Sequence, residues 1–265
     1  MFPWRCPAAF FALIMFLLPA AGRAAQAHNI AVFGDSLADG VWAGIYQEEK
    51  ANPQDRLFRD SKVGTGLTRP DYDSFVAGFI ATLDPDHVTD AVVMFGANDD
   101  EGLRDDNHHG YLFESAGWTQ VYEQRVQAII AACQQRGIRV FWLGLPVMRA
   151  PDRNQDAIFL NALLQRTVTA NGAAFIPLED RFKGPDGGFA LYLPDAAGNL
   201  RQFRAPDGTH FTFLGYDTIA KQVLTAIETA APATPVKASA APATPAKPTA
   251  PAAPASPPPT TPQKS

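Results

Sequence analysis

The chain has little cysteine, no surplus of positive charge and no long apolar run, and each shortage closes a class of protein. Two cysteines occur in 265 residues. Cys6 lies in a segment expected to be removed, so Cys133 stands alone and an internal disulfide is excluded. Cys133 sits in the apolar helical run 128–133 with no base near it in sequence, which suits a buried structural thiol rather than a reactive one. Lysine and arginine number 22 against 27 aspartates and glutamates. Setting aside Arg5, Arg23, Lys237, Lys247 and Lys264 at the two ends leaves 17 against 27, a central net charge of −10. That balance argues against nucleic acid or an anionic polymer as the partner. The longest apolar run, 8–18, is shorter than the ~20 residues a membrane span needs. No internal repeat is visible.

The two ends differ from the middle. Residues 1–27 carry one early positive charge, Arg5, then the apolar run, then Pro19-Ala20-Ala21-Gly22-Arg23-Ala24-Ala25-Gln26-Ala27. This is the layout of a cleaved signal peptide, cut after Ala27 or, alternatively, after Ala24, with a membrane anchor as the competing reading. Residues 231–265 are almost wholly Ala, Pro, Thr, Ser and Lys. They cannot bury a core and are expected to be an extended, disordered tail, with cell-envelope association as a further reading. Between them, 28–230 is enough chain for a single α/β domain.

Within that domain, apolar runs ending in polar turns alternate with helical periodicity. Ile30-Ala31-Val32-Phe33-Gly34 reads as a strand leading through Asp35-Ser36 into a helix over 37–50, with Asp35 or Ser36 as its cap. A weak strand over 57–63 ends in Gly64-Thr65-Gly66, and a helix through Phe75, Val76, Phe79, Ile80 and Leu83 follows, capped by Asp71 or Asp73. The run 90–96 suits a buried central strand and stops at Ala97-Asn98-Asp99. A polar loop over 99–117, a helix over 119–136, a strand over 139–146, a helix over 155–170 and a strand over 173–178 come next. A small hairpin, 189–194 with 200–204, precedes Asp207-Gly208-Thr209-His210 and a closing helix over 214–229 capped by Thr212. The alternation predicts a three-layer α/β/α domain with a mostly parallel five-stranded sheet and right-handed crossovers.

Three strand ends carry residues suited to acyl transfer. Ser36 is an alcohol at a strand-to-helix turn, glycines stand at a second turn, and Asn98 ends a third strand. An alcohol needs a positioned base, and the oxyanion it generates needs preorganised donors. His210 is the natural base, and Asp207, three residues earlier, can reach back to its Nδ1–H. Each residue also has a plain structural role open to it as a cap, turn former or loop histidine.

Taken together, these blocks resemble those of the SGNH hydrolase superfamily, the GDSL-type esterases and lipases. Gly34-Asp35-Ser36-Leu37, Gly64-Thr65-Gly66, Gly96-Ala97-Asn98-Asp99 and Asp207-Gly208-Thr209-His210 stand in the order of that superfamily's four motifs. The resemblance implies Ser36 as nucleophile, His210 as base and acid, and Asp207 as the orienting carboxylate. The oxyanion donors it implies are the Ser36 N–H, a glycine N–H and the Asn98 amide. Gly66 suits the glycine role because a turn into the next helix follows it, with Gly64 the alternative; the block departs from the usual Asn-x-Gly-x-x-Gly pattern, with Ser61 standing in the place of the asparagine. Arg69 and Asp99 are expected beside the substrate. No cofactor and no metal is called for: the acidic stretch Asp99, Asp100, Glu101, Asp105, Asp106, Asn107, His108, His109 has no ligand spacing and reads as a solvated loop. Trp42, Tyr46, Tyr72 and Trp118 could stack on sugar rings or pack in the core.

The implied protein is a monomeric, exported serine esterase acting on a small-molecule or glycan ester. Its residues leave open whether the acyl group passes to water or to another alcohol, or whether the fold serves only to bind. Activity should fall on the acid side as His210 takes a proton. N-terminal sequencing of the exported protein should read from His28, or from Ala25 on the alternative cut; uncut protein in the membrane fraction would reverse the signal-peptide reading.

Overall fold

A computed structural model describes residues 27–50 and 55–232. The expected signal peptide, save Ala27, and the expected tail from 233 onward lie outside them. In chain order the elements are β1 (Asn29–Gly34), α1 (Ser36–Glu49), β2 (Arg56–Ser61), α2 (Tyr72–Leu83), β3 (Asp90–Met94), β4 (Leu103–Arg104), β5 (Gly110–Tyr111) and α3 (Ala116–Gln134). They continue with β6 (Arg139–Leu143), α4 (Pro151–Ala170), β7 (Ala174–Ile176), α5 (Glu179–Phe182), β8 (Tyr192–Pro194), β9 (Leu200–Gln202) and α6 (Phe213–Thr229).

Five parallel strands form the main sheet in the order β2-β1-β3-β6-β7. The chain therefore steps one way from β1 to β2 and the other way from β2 onward. With right-handed crossovers, that reversal places α1 on one face and α2, α3 and α4 on the other. The packing agrees: α1 lies against α6, and α3 lies against α2 and α4. The reversal also opens a crevice at the carboxyl ends of β1 and β3, the usual ligand position in such sheets.

The central strands are apolar because both their faces are covered. Every residue of β3 is buried, as are residues 30–34 of β1, whereas the edge strand β2 is half exposed. Phe33 is fully buried and stacks on Phe79 with ring centroids 3.9 Å apart, flanked by Phe75 and Phe95. Burial pushes the Cys133 thiol up to about 12, so it is an inert core residue. Among the described residues no helix is long and apolar enough to cross a membrane.

Several boundaries differ from the sequence reading, each for a local reason. The loop expected over 99–117 contains the small antiparallel pair β4–β5, whose turn is closed by Asp105 accepting from the Asn107 and His109 N–H groups. Helix α3 starts three residues early, at Ala116, because Ser115 caps it and Gly117 makes room for the Tyr111 ring. Helix α4 starts at Pro151, where proline's fixed φ suits a first turn. A single helical turn, α5, follows β7. The hairpin is present as β8–β9, and Thr212 caps α6 by accepting from the Gly215 N–H. At α1 the cap is Asp35.

Replacing Phe33 by alanine should cost about 3–5 kcal/mol of stability, read as a lower urea midpoint at unchanged m.

Candidate active site

Register builds the site. Gly34, the last residue of β1, pairs with Ser61 of β2 and with Met94 of β3. The loops that leave these three strands therefore start at one level, side by side. Gly34 cannot carry a side chain: its φ is +150°, and a Cβ would lie 1.9 Å from the Met94 carbonyl oxygen. Asp35 then turns the chain, and Ser36 opens α1, where the first N–H groups of a helix have no intrahelical acceptor.

His210 reaches Ser36 from the loop ahead of α6. Its Nε2 is 2.8 Å from the Ser36 Oγ, and its Nδ1 is 2.8 Å from Asp207 Oδ2. Asp207 also accepts from the Thr209 and His210 N–H groups through Oδ1, at 2.8 and 2.9 Å. Partial burial alone would raise the Asp207 carboxyl, but these N–H groups and the imidazole outweigh it and hold the carboxyl at about 2. Asp207 is thus an anion throughout the ordinary pH range and selects the tautomer with Nδ1 protonated, which turns the Nε2 lone pair toward Ser36.

Around the serine, Asn98 donates from Nδ2 to the Thr65 carbonyl at 2.9 Å, fixing the Thr65–Gly66 peptide plane and leaving the second amide hydrogen to donate elsewhere. Gly66 is buried and Gly64 is an exposed turn residue at φ +76°. A Cβ on Gly66 would lie 2.2 Å from Asp99 Oδ1, whereas one on Gly64 would meet open space. Gly66 is therefore the glycine embedded in the site.

Two buried carboxylates lie beneath these loops. Asp35 accepts from Leu37 N–H at 2.8 Å and from Ala97 N–H at 3.3 Å, joining the serine turn to the asparagine loop. Its burial outweighs those bonds, and with Asp99 nearby its carboxyl is raised to about 7. Asp99 accepts from the Thr68 N–H and hydroxyl, both at 3.1 Å, and from the Tyr122 hydroxyl at 2.8 Å. Burial raises its carboxyl too.

The placement of Asp99 corrects an expectation. Instead of facing a substrate it is fully buried, pinning the glycine loop to α3. Arg69 pairs with Glu101 at 3.2 Å on the surface. Trp118 and Tyr72 are core residues, Trp118 stacked on Tyr122 with centroids 4.6 Å apart; Trp42 and Tyr46 stack on each other along α1, with Tyr46 48% exposed. Within the acidic stretch, Asp100 pairs with Arg153, Glu101 with Arg69, and Asp105 accepts from the Asn107 and His109 N–H groups. Among the described residues no group of three or more His, Cys, Asp or Glu could hold a metal ion. Two residues of the site had no sequence signal. Tyr122 lies inside the helix expected over 119–136 with nothing to single it out, and Arg204, fully buried beneath the His210 loop, falls at the end of the expected hairpin strand 200–204.

The fold is that of the SGNH hydrolases. A GDSL-like lipase from Bacteroides thetaiotaomicron superposes with a TM-score of 0.53 at 18% identity, over 76% of this chain and 87% of that one. A catalytic mutant of an acetylxylan esterase from Geobacillus stearothermophilus gives 0.52 at 13%, over 75% and 93%. An α/β hydrolase from the metagenome of Lake Arreo, Spain, gives 0.51 at 14%, over 76% and 96%. No curated protein matches the chain. Residues 29–226 match a family described as a protein of unknown function, DUF459, and the chain belongs to it.

The Asp35 carboxyl makes a prediction about stability. Unfolded, it loses its proton near 3.8; folded, it keeps it to about 7, so the folded state binds more protons between these values and loses stability as pH rises through them. Above about 7 the effect is complete. Asp35→Asn should flatten the decline between pH 4 and 7 by up to one proton's slope, read from urea midpoints across that range.

Proposed function

We propose that the protein is an exported serine esterase that removes a small acyl group, namely acetyl, from a carbohydrate or cell-envelope substrate through an acyl-enzyme. The observation that carries this reading is the hydrogen-bonded line from Asp207 through His210 to the Ser36 hydroxyl, 2.8 Å at each step. Its spacing is that of a nucleophile, a base and an orienting acid. The structural likeness to an acetylxylan esterase supports the choice of acyl group and substrate class, and the signal-like leader supports export.

In this reading the Ser36 Oγ attacks the ester carbonyl carbon while its proton passes to His210 Nε2. The resulting oxyanion is received by the Ser36 and Gly66 N–H groups and the free hydrogen of the Asn98 amide, all on the segments that leave β1, β2 and β3. Collapse breaks the bond to the leaving alcohol, which takes the proton from His210, and leaves the acyl group on Ser36. Water then gives its proton to His210 and attacks the acyl carbon. Collapse of this second adduct returns the proton to Ser36 and frees the carboxylic acid. Asp207 stays ionised throughout, stabilising the imidazolium that forms twice in each turnover.

The test is labelling by a fluorophosphonate probe, followed by turnover of acyl-nitrophenyl esters of rising chain length and of acetylated glycans. Ser36→Ala should abolish both labelling and turnover; absence of labelling in the unaltered protein would sink the proposal. Asp207→Asn, which reverses the tautomer preference of His210, should lower kcat by up to about 10⁴. Asn98→Ala should lower it by about 10²–10³ with labelling retained. Acyl transfer to an added sugar in place of hydrolysis would make the protein a transferase of the same mechanism.

A further inference from the structure

Arg204 is the only lysine or arginine among the described residues that is fully buried. Moving a guanidinium out of water is costly unless its donors are met. Here they are met by main-chain carbonyls: Nη1 donates to Val147 O at 2.6 Å, Nη2 to Thr209 O at 3.0 Å and Nε to His210 O at 3.3 Å, with Gly208 O at 3.5 Å from Nη2. The rings of Phe211 and Phe189 lie 4.6 and 4.8 Å from its Cζ, so aromatic faces supply what attraction a carboxylate would otherwise give. Burial lowers its pKa to about 10, and it remains a cation at neutral pH.

Its position is the neck of the loop that carries the base. Arg204 and Phe211 form an isolated antiparallel bridge, and Ala205 N–H donates to His210 O at 2.9 Å, closing residues 205–210 into a tight loop. Asp207 gathers the N–H groups of Thr209 and His210. Arg204 gathers the carbonyls of the same two residues and ties them to Val147, beyond the end of β6. A planar fork with five fixed donors can span these carbonyls; a lysine, with one rotating ammonium, cannot.

We propose that Arg204 is a positioning residue for His210, its guanidinium fastening the Thr209 and His210 carbonyls to Val147 and so holding the imidazole against Ser36. This inference rests on the esterase reading of the site, because it assigns the loop's rigidity to the alignment of a base.

The test uses Arg204→Lys, Arg204→Met and, because Phe189 is only partly buried and its loss leaves the core intact, Phe189→Leu. Active sites are counted by fluorophosphonate titration, so that kcat refers to competent molecules alone. Two esters are compared: a nitrophenyl ester, whose leaving group departs unprotonated, and an alkyl ester, whose leaving group needs the proton from His210. Arg204→Lys should lower kcat per site on the alkyl ester by about 10²-fold, a loss typical of slight misplacement of a reacting group. The nitrophenyl ester should lose kcat per site as well, because His210 acts as base toward Ser36 and water on both esters, with KM little changed, and Phe189→Leu should show the same pattern more weakly. An unchanged kcat per site on both esters, with or without fewer sites, would make Arg204 a residue of the fold alone and overturn the proposal. If the unaltered protein neither labels nor hydrolyses any ester, the esterase reading falls, and amide exchange then judges the clamp separately. Faster exchange at Thr209 and His210 in Arg204→Lys, with β1 and β3 still protected, would uphold it; unchanged exchange would overturn it.

Discussion

The pairing of β1 between β2 and β3 is the constraint on which the rest of the site depends. Because Gly34 stands opposite both Ser61 and Met94, the serine turn, the glycine loop and the asparagine loop leave the sheet from one level. A shift of register on either side would move one loop by a strand residue's rise, about 3.3 Å, more than the length of a hydrogen bond. The apolar filling of β1 and β3, and the stacked phenylalanines behind them, secure that level. The chemistry of the site is therefore a property of the sheet before it is a property of any single side chain.

A shared register sets where loops begin, not how they lie. That second task falls to three buried ionisable groups, each of which takes at least one backbone partner. Asp35 joins the serine turn to the asparagine loop, Asp99 joins the asparagine loop to the glycine loop, and Arg204 joins the histidine loop to the end of β6. Apolar replacements could fill the same space but would leave main-chain donors and acceptors unpaired. Burial raises the two carboxyls and lowers the guanidinium, which is the mark of groups taken out of water for what they bind.

The sequence disclosed the parts whose chemistry is local and hid those whose role is set by burial. The alternation of apolar runs with helical periodicity was enough for the parallel sheet, and Ser36, Asp207 and His210 could be singled out because acyl transfer needs those residue types. Asp99 was misread because an Asp-Asp-Glu run looks solvated, and nothing in it tells that the first residue turns inward toward Thr68 and Tyr122. Arg204, between Phe203 and Ala205, carries no mark that separates a buried cation from a surface one. The pair β4–β5 is two residues on each side, too short for any period to appear.

The contact between Gly66 and Asp99 bears on how this chain can vary. The space beside the Gly66 Cα is occupied by the carboxylate of a residue 33 positions later, on another loop. Asp99 is held there in turn by Thr68 and Tyr122. No side chain can be added at 66 while Asp99 keeps its place, and Asp99 cannot leave its place without releasing the backbone that gives Gly66 its course. A side chain at 66 would therefore push the Asp99 carboxylate away from Thr68 and Tyr122, so the glycine loop cannot be altered at this point without loosening its tie to α3.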